Sequence, residues 1–260
     1  MLWRALALFI LFSAAPAAAL DLASGGSAVV GEIIDGDTVR LDREIFGARE
    51  VRLVGIQAPK LPLGRAGVRE WPFAKEAKAE LARLVQGRQV ELGFGGQRLD
   101  RHKRLLAHLT RDDGLWIQGA LLGAGLARVY SFSDNRAVVP EMLAAERTAR
   151  AARRGIWSHS FFAIRTPETA AKHINSFELV EGTVLDVATV GGRTYINFGP
   201  NWRTDFTIVL APKAVRLFAQ DGVKPETYRG QRIRVRGWLA SRDGPMIEAT
   251  HPQQIEVLEE

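Results

Sequence analysis

Between Ser27 and Val54 the chain breaks into short β-branched and apolar runs parted by turn residues: Val29 to Ile34, Thr38 to Leu41 and Val51 to Ile56. Runs this short, alternating with period two, suit strands and not a buried helical face; so closely spaced, they predict an antiparallel meander. The pattern returns after Phe177, as Leu179 to Val190, Thr194 to Phe198, Asp205 to Leu210, Gln231 to Leu239, Pro245 to Ala249 and Gln254 to Leu258, around one short helix near Lys213 to Phe218. A chain of 260 residues is long enough to bury two cores. Two strand-rich blocks predict two small units.

Between the blocks the periodicity changes. Phe73, Ala77, Leu81 and Leu84 recur at helical spacing between Pro72 and Gly87, and Trp116 to Leu122 and Val139 to Arg153 predict two further helices, ended by glycines. Strands are expected at Gln89 to Phe94 and Leu105 to Thr110, an edge segment at Ala127 to Phe132, and Trp157 as the closure of the core. Gln57 to Pro72 carries three prolines and two glycines and reads as a long surface loop, a lid or a plain connector. This order predicts a mainly β, α+β chain. Its first unit, residues 27–160, is expected to be a Greek-key barrel of the OB type with three helices, followed by a linker (161–176) and a smaller OB-like barrel (177–260).

Residues 1–19 have the layout of a secretory signal peptide: Arg4, an apolar run from Ala5 to Phe12, then small residues with Ala17 and Ala19 in an A-x-A arrangement. The apolar part is too short to span a bilayer, so a secreted or periplasmic protein with no membrane span after cleavage is expected. The absence of cysteine excludes a thiol nucleophile or a thiolate metal site. A formal net charge of +6 favours polyanionic partners, nucleic acid among them.

The chemistry concentrates between Ile33 and Lys60. Asp35 and Asp37 stand two apart around Gly36, which on an extended backbone sets both carboxylates on one face: a cation site in outline, or two residues that shape a turn. Arg52 offers a fork of donors to a phosphate, or a structural ion pair. The loop from Gly95 to Arg104 is basic, and Arg98, Arg101, His102 and Lys103 are expected to contact substrate.

Ile34-Asp35-Gly36-Asp37-Thr38-Val39, Arg52-Leu53-Val54-Gly55-Ile56, Glu76-Ala77, Gly96-Gln97-Arg98 with Asp100 and Arg104, Gly125-Leu126-Ala127 and Gly155-Ile156-Trp157 resemble, in order, the staphylococcal nuclease (thermonuclease) family. The resemblance implies an OB barrel with three helices, calcium as cofactor and hydrolysis of DNA or RNA phosphodiesters. It implies Asp37 as direct metal ligand, Asp35 as its partner, and Arg52 and Arg104 as the guanidiniums that grip the phosphate. Two positions depart: the second carboxylate ligand is Gln57, and the general base just after Pro59 is Lys60.

Gln57 keeps an oxygen and loses a charge, so the calcium site of Asp37, Asp35 and Gln57 is expected to be weakened. A protonated Lys60 cannot take a proton from water; His102 is the conceivable substitute, and the Lys60 ammonium could itself stand beside Asp35 and Asp37 in place of the metal. The expectation is an exported nuclease-family protein with reduced metal-dependent hydrolysis, or a pseudonuclease that grips a polyanion without cutting it. Restoring activity is expected to need Gln57→Asp and Lys60→Glu together. In the second unit, alternation puts Arg232, Arg234, Arg236 and Trp238 on one face, a candidate basic track with one stacking platform.

Overall fold

The meander consists of β1 (Ala23–Asp35), β2 (Thr38–Ile45) and β3 (Ala48–Leu53), followed by the two-residue β4 (Ile56–Gln57). The computed structural model describes residues 20–64, 66–67 and 69–258, so the signal-peptide segment lies outside the described residues. Helix α1 (Ala74–Val85) leads to β5 (Gln89–Phe94) and β6 (Leu105–Arg111); then come α2 (Ile117–Gly123), β7 (Arg128–Val129) and α3 (Val139–Ala151). The five strands β1, β2, β3, β6 and β5 close into a barrel. Closure depends on β1, whose 13 residues pair with β5 through their first part and with β2 through their last. Register shifts at Ser24/Ser27 and Val30/Glu32 let that strand bend between its partners. The barrel core includes Val30, Val39, Val51, Leu53, Leu92, Leu105 and Leu109, covered by Leu81 and Leu84 of α1. Ile156, not Trp157, is the fully buried residue after α3; Trp157 is half-buried under the Arg150 guanidinium.

The second half holds β8 (Phe177–Thr183), β9 (Asp186–Val190), β10 (Arg193–Asn197), β11 (Thr207–Leu210), α4 (Pro212–Gln220), β12 (Arg232–Ser241), β13 (Pro245–Glu248) and β14 (Ile255–Val257). The run expected from Leu179 to Val190 is two strands. Val184 N–H bonds the Gln231 carbonyl and Leu185 N–H the Asn197 carbonyl, so the chain changes partner strand at that corner. The sheet runs β14-β12-β13-β11-β10-β9, with β8 also on β12; no pair closing this path into a barrel is recorded among the described residues. Its core includes Val180, Ile196, Phe206, Ile208, Phe218, Ile233, Val235 and Leu239.

The two halves meet across charge, which corrects the expected basic track. Arg236 is 1% exposed and donates to Glu146 of α3 through Nη1 and Nη2, at 3.0 Å each, and to Glu256 of β14 at 2.6 Å. Arg234 pairs with Glu181 and Glu256, and Arg232 with Glu181. The alternation was legible, but a face with a buried carboxylate opposite becomes an interface. Ser131 Oγ lies 2.8 Å from Nε2 of the buried His251, and the Tyr130 and Phe177 rings meet edge to face at 4.6 Å. No helix among the described residues is long and apolar enough to cross a membrane.

Candidate functional site

At the tip of the β1–β2 hairpin Asp35 pairs with Thr38, so Gly36 and Asp37 form a two-residue turn. The two carboxylates are therefore brought together by a turn and not by an extended run. Asp35 Oδ1 accepts from the Asp37 amide at 3.1 Å, tightening it. A Cβ at Gly36 would sit 2.7 Å from the Cβ of Ala58 and 2.8 Å from that of Ala77. Only glycine lets the tip settle against the segment after β4 and against α1.

Asp37, 7% exposed, is fully engaged: Oδ2 accepts from the Ala58 amide at 2.8 Å and pairs with Arg52 Nη2 at 3.0 Å, while Oδ1 accepts from Thr38 Oγ1 at 3.3 Å. Burial pushes its carboxyl up to about 6; Arg52 and the Ala58 amide pull it down, and Asp35 adds to the rise. Arg52 stands opposite Thr38 on β3 and also donates to the carbonyls of Leu53 and Ile56, at 2.6 Å each. Its guanidinium is thus held rigidly at the edge of a cleft.

That cleft has a volume of about 630 Å³ and is lined by Asp35, Asp37, Arg52, Gln57, Lys60, Arg101, His102 and Arg104, with Tyr130, Phe132 and Asn135. Arg104 is oriented by Asp100, which takes Arg104 Nε at 2.8 Å, Nη2 at 2.7 Å and the amides of Arg104 and His102. Burial alone would raise Asp100; these hydrogen bonds outweigh it and hold its carboxyl below the usual range. Arg101 donates from Nε to His102 Nε2 at 3.1 Å.

Two residues expected to touch substrate do not line the cleft. Arg98 stacks instead over Phe46 and Phe94, 4.7 and 5.5 Å from their centroids. Lys103 takes a left-handed turn conformation, φ 61°, that leaves it exposed beside the cleft. Lys60 lines the cleft at the base position, with its Nζ 5.2 Å from the centroid of Trp71.

The largest correction concerns Gln57. Its Oε1 accepts from Arg128 Nε at 3.0 Å and Nη2 at 2.7 Å, and both side chains are buried. Arg128 pairs in register with Gln57 across β4 and β7, among the rings of Phe177 (4.7 Å), Phe162 (5.7 Å) and Trp71 (5.9 Å). Burial lowers its guanidinium to about 10, which leaves it charged at neutral pH. Calcium needs about six to eight oxygens with carboxylate charge among them. Here the amide oxygen faces a fixed cation, and both Asp37 oxygens have donors. These residues do not fit calcium, and no group of three or more acidic or histidine ligands occurs among the described residues.

Sequence reading missed Arg128, Trp71 and Asn135. The available signal was strand alternation in Ala127 to Phe132, which sets Arg128 and Tyr130 on one face. Asn135, 6% exposed, gives its amide N–H to the Gln97 carbonyl while its buried Oδ1 has no partner.

Residues 50–159 match the family model described as staphylococcal nuclease homologue. The chain is 26% identical over 138 residues to endonuclease YhcR of Bacillus subtilis, covering 51% of this chain and 11% of that protein. To the probable staphylococcal-like nuclease CAN1 of Oryza sativa it is 32% identical, over 42% of this chain and 29% of the relative. To the thermonuclease of Staphylococcus hyicus it is 27% identical over 127 residues, 49% of this chain and 73% of the relative. The chain thus spans less than a third of the length of the first two.

Proposed function

Since this chain belongs, through its barrel, to the staphylococcal nuclease-like family, we propose that the cleft binds a phosphodiester of DNA or RNA between Arg52 and Arg104, and does so without metal-assisted hydrolysis. The observation that carries this reading is the Gln57–Arg128 pair, which puts a buried guanidinium on the oxygen that would otherwise face a cation. Arg128 and Arg52 supply fixed positive charge, Arg104 keeps donors beyond those it gives to Asp100, and no carboxylate stands at the base position. Loss of a positioned base alone removes roughly 10²- to 10⁴-fold in rate. The barrel is the nucleic-acid-binding part of an exported protein on this reading, residues 1–19 being its signal peptide.

The test is binding and turnover of single-stranded DNA and RNA by purified protein, with calcium and with chelator. Affinity should be the same in both conditions, should fall for Arg52→Ala and Arg104→Ala, and strand cleavage should not depend on calcium. Vigorous calcium-dependent cleavage would refute the reading.

A further inference from the structure

A groove of about 490 Å³ crosses the face of the second sheet that turns away from its core, and shares no lining residue with the cleft. Register defines that face. Ile196, Ile208 and Ile247 point into the core, so their neighbours Tyr195, Val209 and Glu248 point outward, side by side across β10, β11 and β13. Arg193 lies two residues before Tyr195 on the same face. Trp202, in the β10–β11 connection, and Arg242, in the β12–β13 turn, form the walls.

Three features of this groove point to a ligand. Trp202 leaves 53% of its area in solvent, and the Arg203 guanidinium backs its ring at 4.6 Å. Among the described residues Arg193 and Arg242 have no ion pair within 4.0 Å, although Asp243 and Glu248 also line the groove; Arg203 and Arg216 are likewise unpaired, whereas Arg229, Arg232, Arg234 and Arg236 of the same half each have one. The floor combines an aromatic ring with the methyl groups of Val209. Two aromatic rings call for a flat π surface, and two uncommitted guanidiniums for an anion. A nucleotide offers both in one unit.

We propose that this groove is a second nucleic-acid contact, stacking an unpaired base on Trp202 and Tyr195 while Arg193 and Arg242 take the flanking phosphates. Glu248 at the rim is an acceptor for an exocyclic amine of the base. The choice of polymer rests on the reading of the cleft as a nucleic-acid site; the residues are independent of it. A single strand is required, because a duplex keeps its bases stacked on one another.

The experiment measures affinity by fluorescence anisotropy with labelled single-stranded oligonucleotides and their duplexes, using the whole protein, Trp202→Ala with Tyr195→Ala, Arg193→Ala with Arg242→Ala, and Arg52→Ala with Arg104→Ala. Arg193, Trp202 and Arg242 are exposed and Tyr195 is half-buried, and circular dichroism checks that the fold is retained. The aromatic double variant should weaken single-strand binding about tenfold and duplex binding hardly at all. The arginine double variant in the groove should flatten the slope of log affinity against log salt by about 1.4, two phosphates at about 0.7 each. Unchanged affinity in the aromatic variant, or an unchanged slope in the arginine variant, overturns the proposal. A loss confined to the cleft variant overturns the groove and leaves the cleft standing; a loss confined to the groove variants does the reverse. Tryptophan quenching by neutral oligosaccharides, with none by oligonucleotide, would assign the rings to sugar stacking and overturn it as well.

Discussion

Converting the cleft into a calcium-dependent nuclease should require three substitutions: Gln57→Asp, Lys60→Glu and Arg128→Met. The first two return the carboxylates whose absence the sequence reveals. An aspartate at position 57, one methylene shorter than glutamine, would still be drawn to the Arg128 guanidinium, whose nitrogens now lie 2.7 and 3.0 Å from Gln57 Oε1. At about 4 Å between charge centres and an effective dielectric of about 20, that attraction is about 4 kcal/mol. Calcium would have to displace it, at a cost of about a thousandfold in affinity. In the double variant the new carboxylate should therefore pair with Arg128 instead of a metal, and the protein should cleave little. Methionine at 128 fits the cage of Trp71, Phe162 and Phe177 and leaves the new carboxylate in need of a cation. Calorimetric titration and thermal unfolding, each with and without calcium, read the metal site independently of turnover, and single-strand cleavage reads the chemistry. The triple variant should bind calcium, gain thermal stability from it and cleave; the double variant should do none of these. If the double variant binds and cleaves as the triple does, Arg128 is not the obstacle and the reasoning fails.

Arg236→Leu leaves Glu146 and Glu256 short of a buried cation and should cost about 3–5 kcal/mol, less what Arg150 recovers, seen as a denaturant midpoint shift at unchanged m. Truncation before Phe177 removes Arg236, Glu256 and the ring packed on Arg128, so the isolated barrel should melt at a lower temperature; an unchanged melting point would show that the interface contributes nothing. Asp37 holds its proton more tightly folded than unfolded, so its contribution to stability is present below about pH 4 and is lost as pH rises towards about 6; Asp37→Asn should abolish that component in unfolding measured across the range. His251, lowered to about 4 chiefly by burial, works in the opposite sense: its contribution is present above about pH 6.5 and is lost as pH falls towards 4, and a His251→Gln protein with an undiminished acid slope would refute this.

The strand and helix pattern was legible because local signals set it. Gln89 to Phe94 is a strand with the expected ends, and the period of Ala77, Leu81 and Leu84 turns one face of α1 to the core. The Asp35-Gly36-Asp37 motif and Arg52 announced a charged site, and the ordered motifs announced the family. Lys60 and Gln57 could be seen as departures in a single chain because each changes a charge where the chemistry needs one.

What the sequence by itself determined, then, was the barrel unit, its resemblance to the staphylococcal nucleases and the carboxylates missing from that pattern. Only the tertiary structure decided where each charge finds its partner. Arg128 and Gln57 are 71 residues apart, and Arg236 and Glu146 90 apart, so no local rule pairs them. A guanidinium outside water is tolerable only beside acceptors, and which acceptors reach it depends on how distant strands dock. For the same reason Arg236 belongs to the interface with Glu146, while Arg232 and Arg234 are paired with carboxylates of neighbouring strands and do not form the expected basic track. Alternation had shown that they share a face, but what stands opposite that face is a property of the fold.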